Sequence, residues 1–85
     1  MSDMMKVVAV PIAEIYVPHR LRRDLDPKAL EALAESIAEI GQQTPILVRR
    51  DKDRFVLVSG LQRLEACRAL GETQIKANIV QARKH

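Results

Sequence analysis

The spacing of apolar residues divides the chain into two helical stretches and several extended ones. Lys6 to Ile12 (K-V-V-A-V-P-I) reads as a strand that Pro11 ends or confines to a sheet edge, because proline has no N–H to give to a ladder. Ala13 to Val17 continues as a turn and a short extended piece. Leu30, Leu33, Ala34, Ile37 and Ile40 then recur at three- and four-residue spacing, the apolar face of a helix whose Lys28, Glu31, Glu35 and Glu39 turn outward. Asp26-Pro27 opens this helix with an acidic N-cap and a proline at the first helical position, and Gly41 closes it. Ile46 to Arg50 and Arg54 to Val58 read as strands joined by the tight turn Asp51-Lys52-Asp53, which makes them an antiparallel hairpin. A second helix from Gly60 to about Leu70 stops at Gly71, and Gln74 to Val80 alternates as a half-buried strand. The pattern predicts an α+β domain, a small mixed sheet with two packed helices, as one domain over residues 1–85 with its core at about 6–80. Met1 to Met5 is expected to fray and Gln81 to His85 to form a charged tail.

The join between the Phe55–Val58 run and the second helix concentrates the candidate chemistry. Ser59 has the residue type of an N-cap, and Gln62 three positions later completes an S-x-x-Q capping box. Gly60, without a side chain, lets a ligand come close to the backbone. A helix start carries unpaired amides and the positive end of the helix dipole, which suits phosphate, and Arg63 one turn in adds a permanent planar cation. The same features also describe an ordinary capped helix. Pro18 to Asp24 holds Arg20, Arg22 and Arg23 beside His19, a basic loop that is either a solvated charge run or an anion contact. With the polar turn Gly41 to Thr44, these pieces make a candidate phosphate site.

Composition narrows the possibilities. Eighty-five residues with one Tyr, one Phe and no Trp give an aliphatic core and too few rings to stack several bases. The net charge of +3 permits phosphate contact without the dense basic stripe of a strong duplex binder, so weak, non-specific DNA binding is the expectation. One cysteine, Cys67, allows no internal disulfide and reads as a small apolar filler, a reactive thiol being the alternative. His19 and His85 are too few and too far apart to complete a zinc site, and no G-x-x-x-x-G-K-[ST] loop is present. Ser36 and Ser59 have helical roles, so no nucleophile stands with a positioned histidine. Asp24, Asp26, Asp51 and Asp53 have turn or capping roles, leaving no paired-carboxylate metal site for a nuclease. No stretch is long enough for a membrane span and no signal pattern begins the chain, so the expected location is cytoplasmic.

The order D-P-K-A-L-E-A-L-A-E-S-I-A-E-I-G-Q-Q-T-P-I-L-V, followed by F-V-L-V-S-G-L-Q-R-L-E-A-C-R-A-L-G, resembles the N-terminal domain of the ParB family, part of the ParB/sulfiredoxin superfamily. The likeness covers roughly Val8 to Val80. It rests on the set of S-I-x-x-x-G, P-I-x-V and a strand running into G-x-x-R-x-x-A. The resemblance implies a pocket for CTP or another nucleoside triphosphate with magnesium, since in partition proteins of this family CTP binding and hydrolysis switch a dimer between open and clamp-like forms around DNA. It places the family's arginine after the first strands on Arg22, its glutamine-proline turn on Thr44-Pro45, and its glycine-to-arginine box on Gly60 and Arg63. With Ser59, these are the candidate nucleotide and phosphate residues. Leu61, Gln62 and Glu65 depart from the family's acidic, first-arginine and last-arginine positions. Sulfiredoxin carries a cysteine where Leu61 stands, and Cys67 lies two turns too late to replace it, so repair of oxidised cysteine is not expected.

The function implied is a nucleotide-binding regulatory module of a plasmid, phage or chromosome partition or DNA-maintenance system, with self-association or a partner protein and a weak CTPase as possible activity by resemblance. The rival readings are a ligand-free interaction or DNA-associated module, and a ParB-like nuclease or phosphotransferase. The sequence ends before the helix-turn-helix that gives partition proteins their DNA site, so the expectation is a fragment or a domain acting through partners.

Overall fold

The computed structural model describes residues 6–81; the expected frayed start, Met1 to Met5, and the tail beyond Gln81 lie outside that range. Five strands form one mixed sheet: β1 (Val7–Pro11), β2 (Ile15–Tyr16), β3 (Ile46–Asp51), β4 (Arg54–Ser59) and β5 (Gln74–Val80), in the spatial order β1-β5-β3-β4-β2. The hairpin β3–β4 and the pair β1–β5 are antiparallel, whereas β5 runs parallel to β3 and β2 parallel to β4. Helices α1 (Pro27–Ile40) and α2 (Leu61–Ala69) pack on each other and on one face of the sheet.

Each element follows from local chemistry. Pro11 sits at the end of edge strand β1, opposite Gln74, where its missing donor breaks no interior ladder, and the next amide, of Ile12, donates to the Thr73 carbonyl at 2.9 Å. Asp26 caps α1, its Oδ1 accepting from the Lys28 amide at 3.1 Å, with Pro27 at the first position. The Gly41 amide donates to the Ile37 carbonyl at 2.8 Å and closes that helix. Two residues form the β3–β4 turn, Lys52 taking φ 59 at its first corner. The core is aliphatic apart from Phe55: Ile46, Val48, Leu57, Ile75 and Ala77 from the sheet meet Ile37 of α1 and Leu61, Leu64 and Cys67 of α2. Among the described residues no helix is long and apolar enough to cross a membrane.

Two local expectations are overturned. The basic stretch is not an irregular loop: His19–Asp24 is a 3-10 helix, in which the Leu21 amide donates to the Pro18 carbonyl at 3.0 Å. Ser59 is not the N-cap of α2. It stays in the sheet, paired opposite Leu47 beyond a register shift at Leu47/Val48, so its backbone is committed to strand. Gly60 takes the cap position, with φ 106 and ψ 30, and no side chain caps the helix. The S-x-x-Q box therefore does not form.

Cys67 is buried in the core at 2% exposure, and burial, with Glu72 nearby, pushes its thiol up from the ordinary value, Arg63 partly offsetting them. A thiol raised on folding is held neutral in the native state but ionises in the unfolded chain. Its contribution is thus complete below the unfolded value and lost as pH rises through the folded one. Native-state labelling of Cys67 should be slow. Stability should decline above about pH 9 in the parent, and Cys67→Ala, costing about 1 kcal/mol or less, should flatten that decline. Denaturant midpoints measured from pH 7 to 10 check it; fast labelling of the folded protein would make the thiol reactive after all.

Candidate functional site

At Gly60 the chain leaves the sheet and enters α2 within one residue. A Cβ built on Gly60 would lie 2.7 Å from Ile46 Cγ2 and 3.3 Å from Ile46 Cα, so the close approach that demands glycine here is made by β3. The Gly60 carbonyl accepts the first bond of α2, from the Leu64 amide at 3.0 Å. The amides of Leu61, Gln62 and Arg63 precede that bond and have no side-chain cap. They point out of the helix start together with the positive end of its dipole.

This helix start opens into a cavity of about 570 Å³. Its polar lining is Ser59, Gly60, Gln62 and Arg63; its apolar lining is Val58 and Leu61, Leu21 of the second 3-10 helix, and Ala29 and Leu33 of α1. Arg63 is half-buried and makes no ion pair among the described residues, where the pairs are Arg54 with Asp51 at 3.3 Å and Arg68 with Glu65 at 3.6 Å. The guanidinium stands in the same cavity as the free amides, where it can meet an anion. A single cation, a row of amides and an apolar wall suit a ligand that joins a phosphate to an apolar or flat group.

Of the five site residues expected from sequence, the structure brings Ser59, Gly60 and Arg63 together in this cavity and leaves two outside it. Arg22 is exposed and lines a separate concavity of about 670 Å³ with His19, Arg20 and Arg23, although its neighbour Leu21 faces the first cavity. Thr44 is exposed in the turn after α1, and the residues around it serve the fold. Gln42 continues the β3 side of the β3–β5 ladder with its side chain: Nε2 donates to the Lys76 and Thr44 carbonyls at 3.0 Å each, and Oε1 accepts from the Lys76 amide at 2.9 Å. Gln43 Nε2 donates to the Ile40 carbonyl at 2.8 Å, at the end of α1. Sequence reasoning missed the apolar wall and Gln62 as part of the lining. Leu33 belongs to the periodic face of α1 and nothing in its spacing sets it apart, whereas Leu21 is the one apolar residue set among the arginines, which is the signal that could have marked it. Among the described residues no group of three His, Cys, Asp or Glu side chains is placed to hold a metal ion.

Comparison with known proteins places this geometry. The family model of the ParB N-terminal domain matches residues 1–85. The probable chromosome-partitioning protein ParB of Campylobacter jejuni is 42% identical over 62 residues, and that of Helicobacter pylori 36% identical over 76. These matches cover 73% and 88% of this chain but 22% and 26% of the relatives, so the chain spans about a quarter of their length. Among solved structures, sulfiredoxin from Arabidopsis thaliana superposes with a TM-score of 0.82 at 31% identity, covering 91% of this chain and 86% of that one. The C-terminally truncated chromosome-partitioning protein ParB from Caulobacter crescentus, complexed with CTP-γ-S, superposes with a TM-score of 0.79 at 28% identity, covering 93% of this chain and 46% of that one.

Proposed function

Because the chain belongs to the ParB N-terminal domain family, we propose that its cavity at the β4–α2 junction binds a nucleoside triphosphate and that the chain is the nucleotide-binding regulatory module of a DNA-partition or DNA-maintenance protein. The observation that carries this reading is the uncapped start of α2 opening, beside an Arg63 that makes no ion pair among the described residues, into a cavity with an apolar wall. The Caulobacter relative complexed with CTP-γ-S supports it. The residues fit such a ligand: the amides of Leu61 to Arg63 donate to phosphate oxygens, Arg63 neutralises their charge, and Leu21, Ala29 and Leu33 cover the nucleoside and exclude water from it. Magnesium bound to such a nucleotide is held by phosphate oxygens and water rather than by a protein cage. The second concavity, lined by His19, Arg20, Arg22 and Arg23, adds positive field next to the first.

Calorimetric titration of CTP, ATP and GTP, with and without magnesium, against the matching nucleosides tests the reading. The triphosphates should bind at least about tenfold more tightly than the nucleosides, since charge-assisted bonds to phosphate supply most of the affinity. Equal binding of nucleoside and triphosphate, or no binding of any of them at millimolar concentration, would contradict it and leave an interaction module with this fold.

A further inference from the structure

Helices α1 and α2 cover one face of the sheet, and strand alternation turns a second set of side chains to the other face. The pairing registers align these in rows: Val80, Arg49, Val56 and Tyr16 cross the sheet in one, and the next adds Val7 and Leu47. A sheet face left to solvent ordinarily carries polar residues, whereas the middle of this one is apolar. Val7 is 55% and Tyr16 47% exposed, and Val56, although buried, stands outside the core cluster. The charges on this face are mainly positive, from Arg49, Arg54 and Lys76. Asp51 is paired with Arg54 at 3.3 Å, and the Arg54 guanidinium lies 4.4 Å from the centre of the Tyr16 ring.

Helix α1 turns the opposite charge outward. Glu31, Glu35 and Glu39 are exposed and four residues apart, a spacing at which like charges repel, and Lys28 in the first turn is the only cation of the helix. At about 3.6 residues per turn, Glu35 and Glu39 fall on the side away from the buried Ile37. Ala32, Ser36 and Ala38 beside them are small and exposed, so a flat surface can come close to this helix.

We propose that the open sheet face receives the outer face of α1 from a second copy of this chain, in a head-to-tail contact that sets the glutamates against Arg49, Arg54 and Lys76 and covers Val7, Leu47 and Tyr16. Charge decides between this and the symmetric arrangements. A sheet-to-sheet dimer sets Arg49 and Lys76 against their own copies, and a helix-to-helix dimer does the same to the glutamates. The two faces lie on opposite sides of a two-layer domain, so the contact repeats from copy to copy as an open stack and closes no ring. It uses none of the residues that line the cavity at the start of α2, and is independent of the nucleotide reading.

Sedimentation equilibrium of the chain without nucleotide tests the contact. At about 0.05 M salt the average mass of the parent should climb above that of the monomer between about 10 μM and about 1 mM, and at about 0.5 M salt it should fall back. Arg49→Glu, and Glu35→Lys combined with Glu39→Lys, should each raise the apparent Kd at least about tenfold. Each variant keeps one intact face. An equimolar mixture should therefore recover association, joining the unaltered α1 of the first to the unaltered sheet of the second, which also shows that both are folded. A parent that stays monomeric throughout overturns the proposal; loss of duplex DNA binding by Arg49→Glu in the same case assigns the face to nucleic acid. Association that neither variant weakens places the contact elsewhere, and a mixture no more associated than its parts makes the contact symmetric; each of these also overturns it. The proposed function, read from nucleotide titration, stands or falls separately.

Discussion

Gly60→Val is expected to be the most damaging single substitution near the site, and to act on the fold before it acts on any ligand. Gly60 holds φ +106, which an L side chain adopts at a cost of about 1–3 kcal/mol. Its new Cβ would also sit 2.7 Å from Ile46 Cγ2, and Ile46 is a fully buried residue of β3 whose Cα is itself 3.3 Å away. Relief of that overlap requires movement of the strand or of α2, worth about a further 1–3 kcal/mol. Gly71 separates the two effects. It has φ +83 but nothing within 4 Å of a built Cβ, so Gly71→Ala should show the backbone cost alone. Denaturant midpoints of the two variants should differ clearly, with Gly60→Val far the lower. Similar midpoints would mean that Ile46 yields easily and that glycine at this position answers to something else.

Arg63→Ala should leave the fold intact and weaken triphosphate binding by about 1.5–3 kcal/mol, roughly 10- to 150-fold. Arg63 has no carboxylate partner among the described residues, so its removal strands none of their charges. Arg68, about one turn further along the same helix, is the control. Its side chain is 46% exposed and lies 3.6 Å from Glu65, a surface pair of small worth. Arg68→Ala should therefore change binding by less than about twofold. Calorimetry on both variants checks the contrast, and equal losses would reduce Arg63 to a share of the general positive field.

How much of this was legible in the sequence depends on how local each feature is. Asp26-Pro27 and the periodic Leu30 to Ile40 face specified α1 because capping and amphipathicity act within a few residues, and the alternation of Gln74 to Val80 gave β5 its observed bounds. Ser59 shows the opposite case. Its local grammar satisfies a capping box, but its pairing with Leu47 and the contact of Gly60 with Ile46 come from β3, a separate strand, and those contacts decide where the helix begins. The candidate site was legible in the same proportion. Ser59, Gly60 and Arg63 lie on one continuous stretch and meet in one cavity. Arg22 and Thr44 had to be brought in from elsewhere. The 3-10 turn of His19–Asp24 places Leu21 in the cavity lining and Arg22 in the neighbouring concavity, while Gln42 ties the turn before Thr44 to β5. The apolar wall was hidden because Leu33 obeys the same spacing as true core residues, and half-burial leaves no mark on periodicity.

The location of the nucleotide is the central claim, and backbone amide shifts measured by NMR during titration with CTP and magnesium test it most directly. The account predicts that the largest changes fall on Ser59 to Arg63, with smaller ones on Leu21, Ala29 and Leu33, and that Arg63→Ala suppresses the pattern at the same CTP concentration. Changes confined to His19, Arg20, Arg22 and Arg23, with the amides of Leu61 to Arg63 undisturbed, would contradict it and move the anion to the exposed basic turn.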